Sequence, residues 1–275
     1  MSGWRTATAP AKLNLALVVG PLRADGKHEV ATVLQRVDLG DRIALAPAPE
    51  LVVEGFDGDT LVRAALHGLA EAAAVEPRWR AIVTKRIPVA AGLGGGSSDA
   101  ATALRLANGT LAEPLPPPQL HALAAGLGAD VPFFLADGPQ LGRGDGSELT
   151  PLDLPQDYWV VLVLPHGAAK DSTAAVYSRF DERHGHEGYE ERRRVFEHAL
   201  DAVRRPRDLA ALPANDLAGS PVAEELRALG AFRADVSGAG PVVYGLFHHR
   251  RGAEAARRAV TARGRTWLTV PVWYG

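Results

Sequence analysis

Apolar and polar positions along the chain change period several times, and each change predicts an element. Leu13, Leu15 and Leu17 alternate with Lys12, Asn14 and Ala16, so period two predicts a strand with Lys12 and Asn14 on one face. Asp25-Gly26 is a turn signal before a second strand-like run, Val30 to Val37, which Asp38 to Leu45 follows; the first sixty residues predict a β-meander. Leu61, Ala64, Ala65, Leu69 and Ala72 recur at helical spacing, with Asp59 or Thr60 as cap. Trp79 to Thr84 alternates as a strand that Pro88 interrupts. Ala100, Ala103, Leu104 and Ala107 then predict a helix stopped at Gly109, and Gln119 to Leu127 a short one closed by Gly128.

The second half reads as a buried strand, Trp159 to Leu164, and a charged helix, Glu187 to Arg205, whose Arg192-Arg193-Arg194 run forms a solvated face. A helical hairpin carrying Leu217, Leu226 and Leu229 follows, then a strand from Val242 to Phe247, a helix from Ala253 to Val260 and a last strand from Thr266 to Trp273. This alternation predicts an α+β fold. Pro151 to Gln156 reads as a linker, which divides the chain into domains at 1–153 and 154–275.

Composition narrows the function classes. A hydrophobic share of 47% supplies a core, and a net charge of −2 argues against nucleic acid or an anionic membrane as partner. The absence of cysteine removes disulfides, thiolate metal sites and cysteine nucleophiles, in keeping with the cytoplasm. The N-terminus lacks a signal-peptide core, and no apolar run nears the ~18–20 residues of a membrane helix. His184 with His186, and His248 with His249, lack partners at metal-site spacing and read as surface residues.

The candidate chemistry centres on Gly92-Leu93-Gly94-Gly95-Gly96-Ser97-Ser98-Asp99, glycines between a strand and a helix N-terminus. Free amide N–H groups and the positive end of the helix dipole there would attract a phosphate. The alternative is a tight turn in which Ser98 or Asp99 merely caps the helix. With no lysine after the last glycine and Ser97 where a third glycine would stand, the loop is neither a Walker nor a Rossmann motif. Asp130, two residues before Pro132, is either a helix cap or a carboxylate able to take a proton, and His28 beside its turn reads as a surface residue.

Three segments, Pro10-Ala-Lys-Leu-Asn-Leu, Pro88 to Asp99 and Ser237-Gly-Ala-Gly-Pro241, resemble in order the three motifs of the GHMP kinase superfamily. Asp25-Gly26 with His28, and Gly128-Ala-Asp-Val-Pro-Phe-Phe134, resemble more narrowly its diphosphocytidyl-methylerythritol branch. The resemblance implies a ribosomal protein S5-like N-terminal domain, a ferredoxin-like C-terminal domain and an active site in the cleft between them. It implies phosphorylation by ATP, with Mg²⁺, of the tertiary 2-hydroxyl of the methylerythritol unit, in the non-mevalonate route to isoprenoids. Pro88, Val89, Ala90, Ala91, Gly92, Leu93, Gly94, Gly95, Gly96, Ser97 and Ser98 would wrap ATP, with Ser97 or Ser98 touching phosphate or Mg²⁺. Asp130 matches the catalytic aspartate, and Lys12 the lysine that polarises the hydroxyl and keeps Asp130 ionised. Asn14 would orient the substrate, His28 would bind its cytosine end, and Gly238 and Gly240 would let the third motif approach the phosphate loop.

One position departs: the family usually has tyrosine, stacked on cytosine, where this chain has Lys27. Tyr177 is the candidate for the other aromatic wall, and Lys27 would cover the base with its stem or reach a diphosphate oxygen. The expected partner is a small molecule, and the expected assembly a monomer or homodimer. The rivals are a GHMP kinase acting on homoserine, mevalonate or a sugar, and a non-catalytic RNA-binding module.

Overall fold

A computed structural model describes residues 3–57, 61–168 and 172–272. The cap expected at Asp59 or Thr60 and the Trp273 end of the last strand lie outside them. The chain divides into two compact units whose segments interleave: Met1–Ala11, Leu39–Val89 and Gly94–Asp137 form one, and Lys12–Asp38, Ala90–Leu93 and Gly138–Gly275 the other.

The first sixty residues form two long strands and a short one, β1 (Arg5–Leu22), β2 (His28–Pro47) and β3 (Val52–Glu54); β1 pairs with β2 as in a meander, but β3 does not. Asp38-Leu39-Gly40-Asp41 does not turn. A Cβ on Gly40 would lie 2.5 Å from Thr8 Cγ2 and 3.0 Å from the Ala9 carbonyl oxygen, so this glycine serves a close passage of β1.

In the first unit, α1 (Leu61–Ala72) is followed by β4 (Trp79–Thr84), which pairs antiparallel with Arg42–Pro47 of β2 and parallel with β3. α2 (Gly95–Asn108) and α3 (Pro117–Leu127) complete it. α2 packs on α1, and Ala100, Ala101, Ala103, Leu104 and Ala107 are among its buried residues, mostly small side chains that suit close helix packing.

The second unit holds β5 (Gln140–Arg143), antiparallel to Thr32–Leu34 of β2, and β6 (Glu148–Pro151) beside it. Then come β7 (Trp159–Pro165), α4 (Thr173–Glu182), α5 (Tyr189–Asp201), α6 (Pro221–Ala228), β8 (Arg233–Val236), β9 (Val243–Phe247), α7 (Arg250–Ala259) and β10 (Gly264–Thr269). The antiparallel sheet order β10-β7-β9-β8 is the ferredoxin-like arrangement. Val161, Val163, Leu226, Val243 and Phe247 are central to its core.

The expected helical hairpin around Leu217 reduces to α6, because Pro221 at its first turn and Ser220, whose Oγ accepts from Val222 N–H, start the helix there. Arg192 is not on a solvated face. Its guanidinium donates to the carbonyls of Val19 (2.9 Å) and Gly185 (2.7 Å) and to Asp216 (3.2 Å), while Asp216 accepts from Val19 N–H (2.8 Å). The edge of β1 is thereby satisfied by side chains.

Candidate active site

The glycine loop enters α2 differently from a capped turn. The N-cap is Gly94, left-handed at φ +68°, and no side chain caps the helix; Ser98 closes its first turn and Asp99 opens its second, both buried. The turn in which Ser98 or Asp99 caps the helix is therefore not the one formed. The first N–H groups of any α-helix have no partner within it, and here no side chain supplies one at the cap. Ser98 Oγ and Asp99 Oδ1 are buried without a hydrogen-bond partner.

Beneath this turn lies a charge cluster that the sequence patterns did not single out. Lys85 Nζ, just beyond β4, donates to Asp41 Oδ2 (2.5 Å) and Asp99 Oδ2 (2.6 Å), and both carboxylates are buried. Asp41 Oδ1 also accepts the N–H groups of Arg86 and Ile87, so β2, the residues leading to Pro88 and the start of α2 meet on one ammonium. Burial pushes the Asp99 carboxyl up to about 7 against the opposing pull of Lys85. Burial also pulls Lys85 down, but its bonds to Asp41 and Asp99 outweigh that and leave it raised. Because removing one member strands buried charge, Lys85→Met is expected to cost about 3–5 kcal/mol of stability. Equilibrium urea unfolding measures it, and a loss under about 1 kcal/mol would show that the carboxylates need no ammonium. Each partner is far from Lys85 in sequence, so no local spacing reveals the group.

In the same unit, Asp130 sits on the turn before Pro132–Phe134, a single 3₁₀ turn whose N-cap is Val131. Asp130 is thus one residue outside the capping position. Buried Phe133 and Phe134 anchor the turn.

In the second unit, Lys12 and Asn14 are buried, 4% and 5% exposed, not solvated on an open strand face. Lys12 Nζ donates to Asn14 Oδ1 (2.5 Å), Asn14 Nδ2 to Thr32 Oγ1 (2.8 Å), and Thr32 Oγ1 to the Ala16 carbonyl (2.7 Å). Lys12 N–H donates to the Leu93 carbonyl (2.9 Å), which ties β1 to the loop. Ser237 Oγ donates to the Gly92 carbonyl (3.0 Å), and Val242 N–H to that of Ala91 (3.2 Å). Gly238, at φ +57°, presents no side chain where a Cβ would stand 3.1 Å from Asn14 Oδ1 and 3.5 Å from Lys12 Nζ. Asn215, another residue missed in the sequence, holds this turn through Nδ2 to the Val236 (3.0 Å) and Gly238 (2.7 Å) carbonyls. Lys12, Asn14, Ala91–Leu93 and the Gly238–Gly240 turn are therefore brought together.

His28 is buried, not on the surface. Its ring stacks on Tyr177 with centroids 4.8 Å apart, meets Phe180 edge-on at 6.0 Å, and shares a 2.8 Å hydrogen bond from Nε2 with Asp181. Lys27 turns to Asp145 of the β5–β6 hairpin. Burial raises the Asp145 carboxyl, but Lys27 and Ser147 outweigh this and hold it at about 2.

Comparison with known proteins bears on all of these segments. The profile of the GHMP kinases N terminal domain matches residues 60–138, and that of the GHMP kinases C terminal domain residues 220–266. The 4-diphosphocytidyl-2-C-methyl-D-erythritol kinase of Geobacter sulfurreducens is 36% identical over 97% of this chain and 98% of its own length. This chain belongs to that kinase family. The Deinococcus radiodurans member is 38% identical over 94% of this chain and 89% of its own. The crystal structure of a 4-(cytidine 5'-diphospho)-2C-methyl-D-erythritol kinase superposes with a TM-score of 0.80 at 32% identity, covering 98% of this chain and all of that one. A mevalonate kinase at 13% identity, covering 97% of this chain and 99% of its own, still reaches 0.77 and shares the fold. The protein is thus an ATP-dependent kinase with the two-domain α+β GHMP architecture. No helix among the described residues is long and apolar enough to cross a membrane.

Proposed function

We propose that this GHMP kinase transfers the γ-phosphoryl group of ATP to the tertiary 2-hydroxyl of 4-diphosphocytidyl-2-C-methyl-D-erythritol, in non-mevalonate isoprenoid precursor synthesis. The observation that carries the reading is the buried Lys12 ammonium, held by Asn14 beside side-chain-free Gly238 and the Gly92 strand of the loop. A fixed buried cation with a glycine-lined approach suits a reaction that depends on positioning and charge neutralisation.

Asp130 accepts the proton of the attacking hydroxyl, the new O–P bond forms as the bond to the β-phosphate oxygen breaks, and ADP leaves. Lys12 polarises the hydroxyl, and Asn14 orients the substrate. Residues Pro88 to Ser98 take the triphosphate on backbone N–H groups, with the uncapped start of α2 at the centre. His28 and Tyr177 hold the cytosine end, while Lys27, engaged with Asp145, borders it as a charge and not as an aromatic wall.

Mg²⁺ fits the donor set. Ser98 Oγ is a buried oxygen without a protein partner, and Ser98, or Ser97 beside it, would hold a cation bound chiefly by the phosphates. Such an ion would neutralise charge on the transferred group. ADP release measured across a panel of alcohols tests the reading. The diphosphocytidyl compound should give the highest kcat/KM, and a higher value with mevalonate or homoserine would overturn it.

A further inference from the structure

The proposed site leaves Asp181 without a role, yet among the described residues it makes the hydrogen bond that orients the His28 ring. We infer that Asp181 fixes the tautomer of His28 and so makes the site select a cytosine over a uracil base; this rests on the proposed placement of the nucleobase at His28.

The ring itself has little freedom. Val30, Val176, Phe180, Leu17, Val19 and Leu217 form one apolar cluster with Tyr177 packed against it, and the His28 ring lies between the Tyr177 face and the Phe180 edge. Rotation of the imidazole would break both aromatic contacts as well as the bond to Asp181. Asp181 sits in the last turn of α4, and its Oδ1 lies 2.8 Å from Nε2.

The chemistry of the pair then decides what the other ring nitrogen can read. An ionised carboxylate only accepts hydrogen bonds, so the nitrogen facing it must carry the proton. In a neutral imidazole with hydrogen on Nε2, Nδ1 holds a lone pair and is an acceptor. Among the described residues no protein group hydrogen-bonds to Nδ1, so no protein donor uses its lone pair. Cytosine offers an exocyclic amino donor where uracil offers a carbonyl acceptor. An acceptor at Nδ1 matches the first and opposes the second. A site whose polar group is left facing a like group rejects the analogue strongly, whereas an apolar pocket would scarcely separate two bases of the same shape. Asp181 acts only through His28 and is therefore a positioning residue.

The lone carboxylate also explains why an acidic residue rather than an amide suits this place. Asparagine would present either its oxygen or its NH₂ to Nε2, and both tautomers of His28 would become accessible. Asp181 is half exposed, so its replacement should not unfold the chain.

The test compares the dissociation constants of CDP and UDP for the full-length protein, Asp181→Asn and Asp181→Ala, by titration calorimetry at about pH 8.5, about two units above an ordinary histidine. The unaltered protein should bind CDP at least about tenfold more tightly than UDP, the worth of one hydrogen bond and one avoided clash. Both variants should still bind CDP while the ratio falls to about threefold or less. A ratio unchanged in either variant overturns the inference alone. If the unaltered protein binds neither nucleotide, the placement of the base at His28 falls with it. A second measurement reads the tautomer directly: long-range ¹H–¹⁵N spectra, with the His28 signals identified by their loss in His28→Gln, should show hydrogen on Nε2. Hydrogen on Nδ1 of the neutral ring would contradict the inference even if the ratios moved.

Discussion

Asp130→Asn should lower kcat by about 10²–10⁴-fold, the usual cost of removing a positioned general base, while the dissociation constant for ATP stays within about threefold. The two effects are expected to separate because backbone hydrogen bonds and buried aromatic side chains hold the turn. Val131 N–H closes it on the Gly128 carbonyl (3.0 Å), Phe134 N–H donates to the Val131 carbonyl (3.1 Å), and Phe133 and Phe134 are buried. Asparagine keeps the size and position of the side chain but cannot take the proton from the hydroxyl. Steady-state kinetics with ATP-binding measurements check this. Near-normal turnover would return Asp130 to a purely structural place before the 3₁₀ turn.

Gly92→Ala should raise the KM for ATP by more than about tenfold and lower stability by about 1–3 kcal/mol, the range for a strained backbone. The reason is space as much as conformation. Gly92 is at φ +78°, and a Cβ there would lie 2.3 Å from the Ser237 carbonyl oxygen and 2.9 Å from that of Gly240. Neither atom belongs to a flexible side chain, so one of the two turns must move, and the Ser237 bond to the Gly92 carbonyl goes with it. Gly126→Ala in α3, where a Cβ would meet nothing within 4 Å, is the control and should raise stability by up to about 1 kcal/mol. Thermal unfolding and ATP kinetics on both variants separate a general glycine effect from the contact between the two turns.

Much of the architecture was legible because it repeats locally. The alanine stripe of α2 and the alternation of Leu13, Leu15 and Leu17 set element type through periods that a short window contains. The shared face of Lys12 and Asn14 followed from the same period, and their hydrogen bond is its consequence. What stayed hidden depends on distant partners. Nothing near Gly40 in sequence foretells the Thr8 and Ala9 atoms packed against it, and His28 looks like a surface residue until Tyr177 and Phe180 cover it. Lys85 with Asp41 and Asp99, and Asp181 with His28, are buried or half-buried pairings across long stretches of chain, and no spacing rule reaches them. Arg192 departs for the same reason: three successive arginines suggest solvent, yet one of them finds backbone carbonyls. Charge runs describe a segment, whereas burial is decided by what packs on each residue.

The loop at Gly92 to Asp99 changes meaning in this light. Its helix begins four residues before Asp99, with no side-chain cap, and rests on an ion cluster that ties both ends of the loop to β2. In the proposed function that arrangement would hold the phosphate donor, and the acceptor would be chosen at His28, Tyr177 and Lys27, where this chain has lysine at the position of the family's usual tyrosine.

The central claim is a specific transfer, so the product decides it. The protein should be incubated with ATP and 4-diphosphocytidyl-2-C-methyl-D-erythritol and followed by ³¹P NMR. The account predicts one new phosphomonoester, on the 2-position, formed in equal amount to ADP with the diphosphate bridge intact. Phosphate on another hydroxyl, or ADP released without any phosphorylated product, would contradict it.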